Sequence, residues 1–291
     1  MAYDLGSVIQ DRYRILAKVG SGAHGVVYRA RDLETRDEVA LKFLGSGFGF
    51  DPQYNRRLER EAQAMARLRG THAVHVHNIR HTDDGLTYIV MEMLHGHNLE
   101  DYLAQAEQLG GQIKPDRLLM LLRPVVDTLE AAHAQGIVHR DLKPANIFVI
   151  DKQHGGGVRL LDFGLVKVLN ASALTDDGMV AGSPSYIAPE AWAGNPRILD
   201  HRIDLYALGV IVFRALSGHL PTPRGGLINT MQWATGGERP SLHALRTSLP
   251  PSIDFWVEKA LAIAPEDRFQ TVRSQLNALE SILATPVTSP F

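Results

Sequence analysis

Cysteine is absent from all 291 residues. That excludes disulfides and thiol catalysis, and it suits a reducing cytosol. A large charge of one sign is absent as well. Lys and Arg number 30 against 32 Asp and Glu, for a formal net charge of -2. No global field therefore draws the chain to nucleic acid or to an anionic membrane. Long apolar runs are also missing. The longest is "LYALGVIVF", Leu205–Phe213, closed by Arg214. It is too short to span a bilayer and reads as a buried helix. The first residues, "MAYDLGSVIQDRYRIL", carry neither the basic nor the apolar region of a signal peptide. No internal repeat at solenoid periods is present. What remains is the composition of a soluble globular protein, long enough for a sizeable core and for two modest domains or one large one.

Two textures divide the chain. Residues 11–94 read mostly as strands: "YRILAKVG", "GVVYRARD", "EVALKFL" and "TYIVMEML" are β-branched, partly alternating and separated by turn residues. One helix interrupts them at Tyr54–Arg69, where Leu58, Ala62, Met65 and Leu68 fall at helical spacing. Residues 95–283 turn helical. "LLMLLRPVVDTLEAAHAQG" is a long apolar-periodic run ending at Gly136, and Asp204–Ser217 and Ser252–Ile263 are further helices. Residues 284–291 are small and Pro-rich and read as a disordered tail or linker. The expected architecture is α+β and bilobal. A small antiparallel β-rich lobe with one key helix precedes a larger, mostly helical lobe. A cleft between lobes is a natural ligand site.

Several short stretches carry the chemistry. "VGSGAHGVVY" places Gly20, Gly22 and Gly25 between two strands, a glycine-rich hairpin rather than a strand-to-helix turn. Without Cβ atoms its backbone N–H groups can approach phosphate oxygens. In "VALK", alternation puts Ala40 and Lys42 on one face. The small alanine leaves room for a flat ring and the ammonium reaches over its phosphates. A lysine in such a cleft needs a carboxylate. The helix "LEREAQAM" offers Glu59 and Glu61, and Glu61 is preferred because Met65 one turn later then faces inward. "HRDLKPANIF", residues 139–148, crowds ionisable groups against an apolar strand, where a charge must be paired or used. Farther on, "RLLDFGLVK" contributes Asp162. Asp141, Asn146 and Asp162 are hard oxygen donors suited to Mg²⁺.

These stretches, with "APE" (Ala188–Glu190), "DLYALG" (Asp204–Gly209) and "PEDRF" (Pro265–Phe269), occur in the order and spacing of a eukaryotic-type (Hanks-type) Ser/Thr protein kinase of bacterial character. The resemblance covers roughly residues 11–280. It implies an ATP-dependent phosphotransferase that moves the γ-phosphoryl of ATP to Ser or Thr hydroxyls of proteins, with Mg²⁺ or Mn²⁺. Asp141 resembles the catalytic base and Lys143 the residue that neutralises the γ-phosphate. Asn146 and Asp162 resemble the metal ligands, and Lys42 the residue that pairs with the α/β-phosphates and Glu61. Val19, Gly20, Gly22 and Gly25 belong to the implied glycine loop. Val27, Ala40 and Phe148 would sandwich adenine. Met91 resembles the gatekeeper, the Glu92 carbonyl and the Leu94 amide would bond the adenine edge, and Asn98 could reach the ribose. His139 is implied to be a packing residue, stacked with Phe163 and Met65. Glu190 and Arg268 match a structural ion pair, and Asp204 a brace for the catalytic loop.

The resemblance has departures. Ala145 stands where many kinases that prefer basic substrates have glutamate, and Ser183 replaces a threonine whose hydroxyl bonds Asp141 and Lys143. In the family, cations such as Arg140 and Lys167 pair with a phosphorylated activation loop. Here Thr175 is the best acceptor, reachable in trans by a transient homodimer, while Ser183 is better kept unmodified. Asp176 and Asp177, directly after it, are expected to give Arg140 or Lys167 a standing partner. The histidines of "THAVHVHNIRH" read as a solvated stripe, with Val74 and Val76 toward the core. The competing reading is a catalytically idle pseudokinase that binds nucleotide or a partner. A small-molecule kinase of similar fold is disfavoured by "DLKPAN" and by "GSPSYIAPE", a peptide-docking platform in protein kinases. Either way the chain is expected in the cytoplasm, alone or as the cytosolic part of a longer membrane-anchored kinase.

Overall fold

The computed structural model describes residues 3–22, 25–43, 67–163, 184–193, 199–223 and 225–284. The chain forms two compact units, Met1–His95 and Gly96–Phe291.

In the first unit six strands make one antiparallel sheet. They are β1 (Val8–Ile9), β2 (Tyr13–Gly22), β3 (Gly25–Asp32), β4 (Glu38–Phe43), β5 (Val76–His81) and β6 (Thr87–Glu92), in the spatial order β1-β2-β3-β4-β6-β5. Strands β2 and β3 close on each other at Gly22 and Gly25, and Gly25 takes φ 119°, open to glycine at little cost. Two register shifts, between Ile15 and Ala17 and between Lys18 and Gly20, bend β2 before the turn. One sheet face holds the core: Ile15, Tyr28, Val39, Leu41, Phe43, Tyr88 and Val90 are buried together. Phe43 stacks on Tyr88 with ring centroids 5.0 Å apart. The histidine stripe behaves as its alternation suggests. Val74 is buried, and His75 and His77 lie exposed with their rings in edge contact.

The second unit holds the helices α1 (Leu99–Gln108), α2 (Pro115–His133), α3 (Arg202–Ser217), α4 (Leu227–Gly236), α5 (Leu242–Leu245), α6 (Ile253–Ala260) and α7 (Val272–Leu283). A small antiparallel sheet, β7 (Gly96–Asn98), β8 (Ile147–Ile150) and β9 (Val158–Leu160), sits among them in that order. Helix α3 is the core element. Every residue from Ile203 to Ser217 is buried, which explains the unbroken apolar run Leu205–Phe213 within it. Gly209 lets the end of α6 approach closely: a Cβ there would lie 3.1 Å from Ala260 Cβ. Gly96 is required more strictly. At φ 150° a Cβ would fall 2.1 Å from the Val149 carbonyl oxygen.

Helix α2 stops at His133, and the apolar run that contains it closes at Gly136 as the sequence indicates. Gly136, at φ 72°, donates to the His133 carbonyl, and Ile137 donates to Ala132, so the final carbonyls are closed by the turn. Helix α6 stops at Ala260, short of Ile263. Pro265 disfavours continuation, and arginine side chains take the carbonyls left over: Arg239 that of Leu261, Arg268 those of Ala262 and Ile263. The helix expected over Tyr54–Arg69 and the tail from residue 285 fall largely outside the described residues.

Candidate active site

The register of the first sheet decides which side chains share a face. Val27 lies opposite Lys42, Ala40 opposite Met91, and Val39 opposite Glu92. Directly opposed residues in an antiparallel pair point the same way. Val27, Ala40, Lys42 and Met91 therefore share the face opposite the aromatic core. Lys42 is only 7 % exposed, a buried lysine among the apolar residues Val39, Ala40, Leu41 and Phe43. At the hairpin, Val19 is 55 % exposed and Gly20 is exposed too. Leu94 is half-buried. The Glu92 carboxylate accepts from the His75 backbone N–H at 2.8 Å, which anchors β6 to β5.

In the second unit the loop from His139 to Asn146 is held by one buried carboxylate. Asp204, 1 % exposed near the start of α3, accepts from the backbone N–H of His139 (2.8 Å) and of Arg140 (2.9 Å). His133, in the last turn of α2, brings Nε2 to 2.8 Å from the same carboxylate. These bonds hold Arg140 at φ 63°, a conformation a non-glycine residue takes only when its surroundings dictate it. Arg140's side chain is exposed. His139 is fully buried. Its Nδ1 accepts from the Asp141 N–H at 3.3 Å, so its Nε2 donates to the Leu161 carbonyl at 2.9 Å. Burial pushes this imidazole below the usual histidine range, so it is neutral and unavailable as an acid. Its ring lies 4.7 Å from that of Phe163. The expected packing role therefore has its Phe163 half in place.

Asp141 is thus presented from a rigid turn. Lys143 Nζ donates to Asp141 Oδ2 at 2.8 Å. Asn146 donates through Nδ2 to the Asp141 carbonyl at 2.7 Å and more weakly to Oδ2 at 3.3 Å. That orientation commits the amide nitrogen and turns Oδ1 into the acceptor Asn146 has to offer. The Asn146 carbonyl accepts from the Leu161 N–H at 2.8 Å, tying the loop to the segment that follows β9 and leads into Asp162. Asp162 itself sits at φ 48°, a second strained backbone at the same place. One carboxylate and one amide oxygen, supplemented by a ligand's phosphates, is a donor set that fits Mg²⁺.

Phe148 pairs with Asn98 across β7 and β8. Asn98 is also engaged within its own unit. It is the N-cap of α1, its Oδ1 accepting from Asp101 N–H and its Nδ2 donating to Asp101 Oδ2, both at 2.8 Å. Glu190 and Arg268 form the expected buried ion pair, bidentate at 2.8 and 2.6 Å, with the Arg268 side chain fully buried. Glu61, Met65, Lys167, Thr175, Asp176, Asp177 and Ser183 lie outside the described residues. Sequence reasoning missed His133, which binds Asp204 across 71 positions. A histidine in the last turn of a helix carries no local signal of such a partner.

Comparison with known proteins agrees with this geometry. The protein kinase domain family matches residues 13–276. Serine/threonine-protein kinase PknL of Mycobacterium tuberculosis is 34% identical over 284 residues, covering 96% of this chain and 68% of PknL. Serine/threonine-protein kinase PrkC of Bacillus subtilis is 32% identical over 267 residues, covering 92% of this chain but 40% of PrkC. Among solved structures, the M. tuberculosis PknI kinase domain superimposes with a TM-score of 0.76 at 28% identity, covering 98% of this chain and all of that one. A buried carboxylate bracing a loop that presents Asp, Lys and Asn, on a chain matched by that model over most of its length, establishes that the chain belongs to the protein kinase domain family.

Proposed function

We propose that the chain transfers the γ-phosphoryl group of ATP to serine or threonine hydroxyls of proteins, its own included. The observation that carries this reading is the Asp141–Lys143–Asn146 cluster on a loop pinned by Asp204. Asp141 orients the acceptor hydroxyl and takes its proton as the oxygen attacks. Lys143, 2.8 Å from Asp141, places a cation where negative charge gathers on the transferred group. Asn146 and Asp162 would hold Mg²⁺, which when bound offsets the phosphate charge and fixes the phosphate geometry. Lys42, with Glu61 as its partner, would align the α/β-phosphates, and Val27, Ala40 and Phe148 would enclose adenine. Little covalent chemistry is asked of the protein, so most of the rate comes from positioning.

Lysine at position 143 and the sequence "GSPSYIAPE" support a protein Ser/Thr acceptor. Trans-phosphorylation at Thr175 through a transient homodimer and a cytoplasmic location complete the proposal. Among the described residues no helix is long and apolar enough to cross a membrane. The test is incubation with labelled ATP, Mg²⁺ and a generic protein acceptor. Wild type is expected to incorporate label on serine and threonine, and Asp141→Asn to lose nearly all of it. Equal incorporation by the two proteins would reject the assignment.

A further inference from the structure

Arg214 ends the apolar run of α3 and is 9 % exposed, inside a helix buried on all sides. A guanidinium there is costly unless fully paired. Its partners come from two other places in the unit. Two are carboxylates on α1, two turns apart on one helix face. Glu100 is gripped by Nη1 at 2.7 and 2.8 Å, and Glu107 by Nε at 2.8 Å and Nη2 at 3.2 Å. The third partner is the Tyr186 hydroxyl, 3.0 Å from Nη1. Burial, before any charge effect, pushes that phenol up to about 12, so at neutral pH it is protonated and accepts through its oxygen.

Two carboxylates already suffice to hold a buried cation. The bond to Tyr186 adds nothing to that balance, but it reaches a different kind of segment. Tyr186 closes the short 3-10 turn Pro184–Tyr186, which leads through Ala188 to Glu190. The neighbouring Ser185 hydroxyl lies 3.1 Å from that of Thr222, a second tie from the same turn. Glu190 is clamped by Arg268. The segment is therefore fixed at its start by Arg214 and at its end by Arg268.

We propose that Arg214 is a positioning residue for the protein acceptor: by holding the Tyr186 hydroxyl it sets the Pro184–Tyr186 turn against α1 and α3, so the acceptor peptide meets a preformed surface. This rests on reading residues 184–190 as part of the peptide-docking platform. The role is distinct from chemistry on ATP, because Arg214 touches none of Asp141, Asn146 or Asp162. It places the control of acceptor affinity on α1, through Glu100 and Glu107.

The experiment uses the whole chain, with an acceptor peptide selected by the wild-type enzyme from a degenerate serine/threonine library. Tyr186→Phe removes only the hydroxyl. It is expected to raise KM for the peptide about tenfold, the scale of a hydrogen bond to a charged group. KM for ATP and ATP hydrolysis without acceptor should stay at wild-type values, with the variant folded at the assay temperature. Arg214→Lys keeps the charge without the planar fork and should fall between the two. An unchanged peptide KM in Tyr186→Phe overturns the proposal and leaves Arg214 as a brace between helices. A matching fall in acceptor-free ATP hydrolysis also overturns it, since the turn would then act on the catalytic loop at large. Amide exchange separates these from failure of the platform reading. Saturating peptide should protect residues 184–190 in wild type, and no protection there rejects the platform itself.

Discussion

His139 shows how one side chain can be confined to a structural duty. It sits within the loop that presents Asp141, yet both ring nitrogens are committed to the backbone and desolvation disfavours its charged form. The linkage has a definite sign. A histidine whose folded pKa is depressed binds its proton more tightly when unfolded, at about 6.5. Stability is therefore full above that value and falls as pH drops from there toward the lower folded value. Melting curves of wild type and His139→Phe between about pH 8 and pH 5 should show the variant with the shallower acid loss. Identical slopes would mean the ring is not titrating with unfolding. Lys42 is the opposite case, a buried charge to which the proposed function assigns a use. Lys42→Met is close in volume and should leave the melting temperature near wild type while phosphoryl transfer falls by orders of magnitude. A folded Lys42→Met protein with wild-type turnover would remove this strand from the site.

At the scale of elements, arginine side chains do much of the joining. Arg239 takes carbonyls at the end of α4 and after α6, and Arg246 takes those of Ile113 and Leu216. Arg268 joins Glu190 to the carbonyls of Arg202, Ala262 and Ile263. Each closes a helix end or turn whose backbone would otherwise be buried unsatisfied. The Arg268 pair is the severest case because its guanidinium is fully buried. Glu190→Gln leaves that charge without its counter-ion and should cost about 3–5 kcal/mol of unfolding free energy in a urea titration. A loss below about 1 kcal/mol would place the pair with ordinary surface bridges.

For the whole molecule, the useful observable is the response to nucleotide. A ligand that binds only the folded state stabilises it by about 2.7 kcal/mol at roughly a hundred times its dissociation constant. ATP with Mg²⁺ should therefore raise the melting temperature more than ATP with a chelator. Asp162→Asn should erase the difference between the two conditions and keep the metal-free shift. Loss of both shifts together would indicate that Asp162 supports the fold of the site rather than the metal. The net charge of -2 leaves little long-range steering, so these shifts should depend weakly on added salt.

Much of this protein was legible before any coordinates. Period-two alternation put Ala40 and Lys42 on one face of β4, and the sheet register then brought Val27 and Met91 beside them. The glycine-rich hairpin and the buried α3 follow from local composition in the same way, because each depends on neighbours within a turn or two of chain. The remainder depended on partners far apart in sequence. Asp204 reaches His139 across 65 positions and Arg214 reaches Glu100 across 114, and neither leaves a periodic trace. The capping of α1 by Asn98, whose Oδ1 accepts from the Asp101 N–H, became visible only in the structure. Backbone pattern is written locally because sterics act locally. A buried polar group finds its partner only when packing brings distant segments together, so the bonds from Asp204 that hold the loop from His139 to Asn146 were decided by the tertiary structure.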